Sequence, residues 1–360
     1  MILGIILPLS TEQSKIPEKL LTDGPYVFLI NNKLIACSLK DSNLYVKEYQ
    51  KGKSIKLLVP AVEGLIVDIP VEYSKPCKDI FVNVENVFAI SDVHGQFFRM
   101  KEILIGNHIM DKDYNWTFKN GHLVVVGDVF DRGPMVTECL WLLYKLEQQS
   151  LKARGKVHIL LGNHEQMLFE ADLRYVHKRY KNISKKLKRI RYQDLFGPDT
   201  VMGQWLRSKQ AVTRINDILY VHAGIHPFFV YKKMALSDIN RIMRKYLDAK
   251  SYVIAFNPVA SFMFGRNGIF WSRGYFNREN FDPISKKQLV RILKYYKATR
   301  VVVGHTRFDH VRSHAGGLIL STAVNTEEDK AAEGLMITKG RFFKADAKGR
   351  LEEIAVLTYE

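Results

Sequence analysis

Apolar positions along this chain follow two rhythms, and the change between them falls near residue 85. From Asp23 to about Val84, short β-branched and aromatic runs are separated by turn residues, beginning with Tyr26–Ile30 and Lys33–Cys37 on either side of Asn31-Asn32. Asparagine tolerates positive φ, so this pair predicts a tight hairpin. Leu44–Lys47 and Gly64–Ile69 are further strand candidates, and Lys75-Pro76-Cys77-Lys78 marks a junction. Together they predict a small β-rich N-terminal domain, residues 1–84, with no recognisable catalytic residues.

From Asn86 the rhythm becomes strand, loop, helix. Val87–Ser91, Leu123–Gly127 and Val157–Leu161 are apolar runs of strand length. Between them lie stretches with helical spacing, such as Met135–Leu151, with Pro134 at a natural helix start. Such alternation predicts an α/β class for residues 85–360. A hairpin is expected from Val212–Ile215 and Ile218–Val221 around Asn216-Asp217, and helices with Ser237 and Ser285 as N-caps. Leu335–Ile337 and Arg341–Phe343 should pair across Lys339-Gly340.

At 360 residues, 47% hydrophobic and 25% charged, the chain can bury a large core with a smaller attachment, which excludes disordered and collagen-like classes. The net charge of +17 adds something the hydrophobic pattern does not show: an anionic substrate, a nucleic acid or an acidic membrane surface as partner. Much of the excess lies in one segment holding Lys178, Arg179, Lys181, Lys185, Lys186, Lys188, Arg189 and Arg191. A solvated basic helix face accounts for it most simply; a surface that draws in phosphorylated or acidic substrates is the alternative, and no specific nucleic-acid partner is indicated. Cys37, Cys77 and Cys139 are too few for a disulfide framework and are not spaced for a zinc module, although Cys37 and Cys77 could pair if exported. The apolar opening, Met1–Ser10, resembles part of an export signal but lacks a basic start and a small-residue cleavage site, and an initial strand packing on the first domain is the alternative. Cytoplasmic and exported (periplasmic) locations therefore both stay open. No apolar run elsewhere reaches membrane-spanning length, so no transmembrane anchor is expected and the body should be soluble.

Five short stretches carry the chemistry, each at the end of an apolar run: Ser91-Asp92-Val93-His94-Gly95, Gly127-Asp128-Val129-Phe130-Asp131-Arg132-Gly133, Gly162-Asn163-His164-Glu165, Val221-His222-Ala223-Gly224 and Val303-Gly304-His305-Thr306. Loops beyond the C-terminal ends of buried strands are where open α/β sheets collect ligands, so Asp92, His94, Asp128, Asn163, His222 and His305 can converge on one rim. Carboxylate and amide oxygens mixed with imidazoles, without thiolate, suit manganese, iron or zinc. Two divalent ions need a bridge. Asp128 is the best candidate, with Asp92 and His94 completing one ion and Asn163, His222 and His305 the other. Such a pair polarises phosphoryl oxygens and lowers the pKa of a shared water, which predicts hydrolysis of phosphate monoesters by direct attack of a bridging hydroxide.

His164, next to a ligand, is placed to protonate the leaving group, and Asp131 to orient that imidazole. Arg132 and Arg273 carry planar donor forks suited to clamping phosphate. Asp131 can instead bond backbone amides of its turn, and Arg132 can be merely its ion-pair partner. Arg273 has no spacing argument of its own. His108, His122, His158, His177, His226, His310 and His314 fall outside the pattern.

These motifs resemble the calcineurin-like metallophosphoesterases of the phosphoprotein phosphatase branch, whose Gly-Asp-x-x-Asp-Arg-Gly and Gly-Asn-His-Glu blocks stand at 127–133 and 162–165. Phe88–Gln96, Asp172–Val176 and Ala332–Leu335 are similar to Shewanella-like protein phosphatases. Arg307 stands where nuclease and cyclic-phosphodiesterase branches have a second histidine. The resemblance implies a layered β-sandwich flanked by helices and a dinuclear metal centre. It also implies the His164 and Asp131 pair, a substrate site of Arg132, Arg273 and Asn163, and a phosphoprotein, peptide or small phosphoester substrate. Some relatives prefer phosphotyrosine. A symmetrical dinucleoside polyphosphate hydrolase is the alternative enzyme, and a binding protein without catalysis the alternative class.

Overall fold

The computed structural model describes residues 20–50, 52, 54–70, 76–324 and 332–356. The apolar opening weighed as an export signal lies outside the described residues. Strands β1 (Asp23–Ile30), β2 (Lys33–Lys40) and β3 (Asn43–Gln50) form an antiparallel sheet, and β4 (Ile55–Leu58) and β5 (Ile66–Ile69) a hairpin. Asn31 and Asn32, at φ 46° and 63°, make the β1–β2 turn. Among the described residues twelve further strands follow. They are β6 (Ile80–Phe81), β7 (Asn86–Ile90), β8 (His122–Val126), β9 (Lys156–Leu160), β10 (Val212–Ile215) and β11 (Ile218–Val221), then β12 (Arg300–Val303), β13 (Arg312–His314), β14 (Ile319–Ser321), β15 (Glu333–Thr338), β16 (Arg341–Asp346) and β17 (Leu351–Glu353). They build two six-stranded sheets, ordered β17-β16-β15-β7-β8-β9 and β13-β14-β12-β11-β10-β6.

The unbroken apolar runs are explained by burial on both faces. Val87, Ala89, Val124 and Val126 of one sheet meet Ile218, Tyr220, Val302 and Leu320 of the other. Their alternates, Phe88, Ile90, Leu123 and Val125, face outward, because successive side chains of a strand point to opposite sides. They pack with α1 (Phe97–Gly106) and α2 (Val136–Lys152), whose layer continues through α3 (Asn163–Phe169), α4 (Lys178–Lys186) and α5 (Val201–Arg207). On the far side Leu219, Val221, Val301 and Val303 pack against the helices Leu236–Tyr246 and Lys286–Tyr295. Helix, sheet, sheet, helix is the order of layers, the α/β sandwich expected.

The N-terminal strands share a core with this body. Tyr26, Val27, Leu34, Leu57 and Leu65 lie in one buried cluster with Trp141 of α2 and Trp205 of α5. Trp141 Nε1 donates to the Pro25 carbonyl at 2.9 Å, and the Leu29 amide to the Asp199 carbonyl at 2.7 Å. Strand β6, within the span assigned to the N-terminal unit, pairs with β10 in a central sheet.

Several local expectations change. Helix α2 begins at Val136 with Met135 as its cap, leaving Pro134 outside. The helix Leu236–Tyr246 is capped at Ala235, whose amide donates to Asp238 Oδ2 at 3.1 Å; Ser237 therefore lies in the first turn. Ser285 does cap Lys286–Tyr295, its hydroxyl accepting from the Gln288 amide. Cys37 and Cys77 are free thiols, and Cys77 donates to Gln210 Oε1 at 3.0 Å. In α4 the lysines are exposed, but Arg179 is buried, its guanidinium on the Thr22 carbonyl and 3.0 Å from Asp23 Oδ2. Among the described residues no helix is long and apolar enough to cross a membrane.

Candidate functional site

Strands β7, β8 and β9 run parallel in one sheet, and β11 and β12 run parallel in the other. The five motifs sit at the ends of these strands, so the rim foreseen for one sheet is shared by two. The loops turn sharply. Asp92, His94, Asp128, Asp131, Arg132 and His305 all have φ between 48° and 68°. This region is sparsely populated by residues with a side chain and persists only where the surroundings enforce it. Here the enforcement is visible: the Asp92 amide donates to the Gly127 carbonyl at 3.0 Å and the His94 amide to the Asp128 carbonyl at 2.9 Å. Glu165, fully buried, accepts the amides of Asp128 at 2.9 Å, Val129 at 2.8 Å and Gly162 at 2.6 Å. Close packing of the loops leaves no room for side chains at Gly162 and Gly304. A Cβ there would lie 2.3 Å from Asp128 Oδ1 and 2.7 Å from Asp92 Oδ2.

Three imidazoles are locked in orientation by backbone carbonyls, which can only accept. His94 Nδ1 donates to Phe130 O at 2.8 Å, His222 Nδ1 to Val126 O at 2.8 Å, and His305 Nε2 to Trp271 O at 3.0 Å. The remaining ring nitrogens of His94 (Nε2) and His305 (Nδ1) are free to offer lone pairs, an arrangement common among metal-bound histidines, while His222 Nε2 faces Asn163 Oδ1 and Asp128 Oδ2 at 3.0 and 3.2 Å. Ligand atoms of His94, Asp128 and His164 lie within 4.8 Å of one another, and so do those of Asp128, His222 and His305. Asp128 is common to both groups. Asn163 joins the second, with Oδ1 3.0 Å from His222 Nε2. Asp92 reaches the first, with Oδ1 3.9 Å from His94 Nε2, while its Oδ2 accepts the His305 amide at 3.0 Å.

The donor chemistry fits cations. His94 Nε2 is 3.9 Å from oxygens of both Asp92 and Asp128. That is too long for a hydrogen bond and within the ~4 Å that two ligands, each about 2.0–2.2 Å from one ion, can span. Burial and the neighbouring Asp128 push the Asp92 carboxyl above its usual range despite His222. Burial holds His94 down to about 3 and places His305 well below its ordinary value, so both rings are neutral and ligand-ready. His222 is opposed by burial yet raised to about 9 by Asp128, whose Oδ2 lies 3.2 Å away. A proton is thus held where two oxygens and a ring nitrogen crowd together, a position a cation would take over.

Above this floor His164 Nδ1 is 2.6 Å from Asp131 Oδ2, and both side chains are buried. Burial pulls the imidazole pKa down, but Asp128 and Asp131 outweigh it and raise it. The Asp131 carboxylate therefore takes the imidazole, and Arg132 stacks 5.2 Å over the Tyr175 ring. Arg273 Nη1 donates to the His305 carbonyl and to Thr306 Oγ1, both at 3.1 Å. Asp92, His94, Asp128, Asn163, His164 and His305 line a cleft of about 590 Å³ with Arg132, Arg273, Thr306, Tyr175, Trp271, Arg278, Glu279, Phe281 and Arg307, whereas His222 and Asp131 lie behind its surface. The strand-end motifs gave no sign of Arg278, Phe281 or the amide-holding role of Glu165. Outside the cleft, His122 and His158 form a buried pair at 3.0 Å, and His310 pairs with Glu333 at 2.7 Å.

The calcineurin-like phosphoesterase family profile matches residues 86–307. A crystal structure of a cold-active protein-tyrosine phosphatase from a psychrophilic Shewanella species is similar at 35% identity, covering 92% of this chain and 99% of that one with a TM-score of 0.84. Shewanella-like protein phosphatase 1 of Plasmodium berghei is 28% identical over 223 residues, 61% of this chain and 61% of that protein. A symmetrical bis(5'-nucleosyl)-tetraphosphatase of Buchnera aphidicola is 31% identical over 170 residues, 44% of this chain and 53% of that protein.

Proposed function

Since this chain belongs to the calcineurin-like phosphoesterase family, we propose that it is a dinuclear metal-dependent phosphatase acting on phosphorylated proteins or peptides. The observation that carries this is the convergence of five strand ends on Asp128, with three imidazoles pinned by backbone carbonyls through one ring nitrogen, leaving the other for the cluster. Asp92, His94 and Asp128 would hold one ion, and Asp128, Asn163, His222 and His305 the other; manganese suits this donor set, as do iron and zinc. Two bound cations would supply Lewis acidity to the phosphoryl oxygens and a water of lowered pKa.

The chain's own groups do the rest. Arg132, Arg273 and Asn163 line the same cleft, and the two arginines would present N–H donors to the phosphate oxygens. His164 keeps a proton on Nε2 for the departing oxygen, because Nδ1 is engaged by the charged Asp131. Tyr175, Trp271 and Phe281 wall the cleft with aromatic surface. That lining supports a preference for phosphotyrosine, the substrate class named for the similar Shewanella enzyme.

Initial rates with manganese on phosphotyrosine peptide, phosphoserine peptide and diadenosine tetraphosphate test the assignment. Phosphotyrosine is expected to turn over fastest. A clear preference for the dinucleotide would favour the polyphosphate hydrolase instead, the activity named for the Buchnera relative.

A further inference from the structure

The cleft holds more positive charge than one phosphate requires. Four guanidinium groups line it, those of Arg132, Arg273, Arg278 and Arg307, against one wall carboxylate, Glu279. Asp92 and Asp128 belong to the floor, where cations would balance them. Arg307 follows the His305-Thr306 loop directly, and Arg278 follows the turn that Asn277 closes at φ 50°. The charges feel one another across the cleft: Arg307 repels the guanidiniums of both Arg132 and Arg273, and Arg278 repels that of Arg273. Among the described residues neither Arg278 nor Arg307 has a carboxylate within ion-pair distance, whereas nearby Arg174 pairs with Asp172 at 2.5 Å. Like charges held together without counter-ions cost stability, and the cost is relieved when anions arrive.

Resting on the phosphopeptide reading above, we infer that Arg278 and Arg307 form a second anion-recognition pair that selects phosphorylated residues flanked by acidic side chains. One phosphate uses the planar forks of two arginines. The aromatic walls take the ring that carries it. Of the other two guanidiniums Arg278 is exposed and Arg307 half-buried, and both line the same cleft, where they would meet side chains flanking the phosphorylated residue. A partly solvated pair of this kind adds modest affinity and strong discrimination against the wrong sign.

The test compares kcat/KM for three phosphotyrosine peptides identical except for Asp, Ala or Lys on both sides of the phosphotyrosine, with p-nitrophenyl phosphate and diadenosine tetraphosphate alongside. The wild-type protein should prefer Asp over Lys flanks by roughly three- to thirtyfold, shrinking as salt is raised. Arg278→Gln/Arg307→Gln should bring that ratio close to one, and Arg278→Glu/Arg307→Glu should invert it. Equal rates on all three peptides with wild-type protein, or a preference that survives the double substitution, overturns the inference and leaves the phosphatase assignment standing. So does a double variant that loses dinucleotide turnover with peptide selectivity intact, which would assign the pair to a polyphosphate. Turnover of p-nitrophenyl phosphate without turnover of any peptide removes the phosphopeptide reading and this inference together.

Discussion

Removing the His164 imidazole should slow hydrolysis in proportion to how badly the leaving group needs a proton. His164 and Asp131 are both buried and joined at 2.6 Å, which fixes the ring with Nε2 toward Asp128 Oδ2 at 3.9 Å. General-acid assistance contributes about 10²–10⁴-fold, or ~2.7–5.4 kcal/mol of barrier. A tyrosine phenol, with a pKa of about 10, needs that assistance in full, while 4-nitrophenol is a far better leaving group. His164→Ala should therefore cost about 10²–10⁴-fold on a phosphotyrosine peptide and much less on p-nitrophenyl phosphate, with metal content unchanged. Asp131→Asn keeps the shape but removes the charge from a hydrogen bond worth about 1.5–3 kcal/mol, so a loss of roughly ten- to a hundredfold with the same substrate dependence is expected. The assay is kcat on both substrates at saturating manganese, with elemental analysis of each variant. Equal losses on the two leaving groups would refute the proton-donor role. Loss of bound metal would instead make His164 a ligand, consistent with its place beside His94 and Asp128.

Arg179→Leu leaves Asp23 and Glu138, each 0% exposed, without their shared cation. Losing one partner of a buried pair costs about 3–5 kcal/mol, which at ~2.1 cal/mol/K per residue over a chain of this length lowers Tm by about 4–7 °C; calorimetry should show that drop, and adding Asp23→Asn should restore part of it. Burial and the neighbouring Asp23 push Glu138 up to about 8 against Arg179, from an ordinary 4.5. The folded chain thus holds a proton that the unfolded chain has released, so stability falls as pH rises between those values, by up to about 1.4 kcal/mol per pH unit. Urea unfolding of Glu138→Gln should show a shallower pH slope than wild type across that window. Arg273→Lys keeps the charge but loses the fork that reaches Thr306 and the phosphate together. A drop of about ten- to a hundredfold in kcat/KM with little change in Tm is expected.

The chemistry was legible in the chain because its residues sit in short motifs at the ends of apolar runs, and a strand end fixes where a loop begins. Asp92, His94, Asp128, Asn163, His222 and His305 could be gathered on that ground alone. Which sheet each strand joins was not legible: a run buried on both faces reads the same in either, so β11 and β12 could not be separated from β7, β8 and β9. Glu165 stood within a quoted motif, yet its amide partners at Asp128 and Val129 lie 37 and 36 residues away. Arg278 and Phe281 come from a loop that follows a short 3-10 turn and no strand, and only the fold brings them to the cleft. Arg179 was concealed by its neighbours, since a basic stretch reveals charge but not which cation turns inward to meet Asp23.

If two cations held around Asp128 make this chain a phosphatase, its turnover must follow metal occupancy. The measurement is a titration of metal-depleted protein with Mn²⁺, with p-nitrophenyl phosphate turnover followed against bound metal. Negligible activity without metal, saturation at two ions per chain, and no saturable activity in Asp128→Asn are expected. Full turnover by protein free of metal would contradict that dependence.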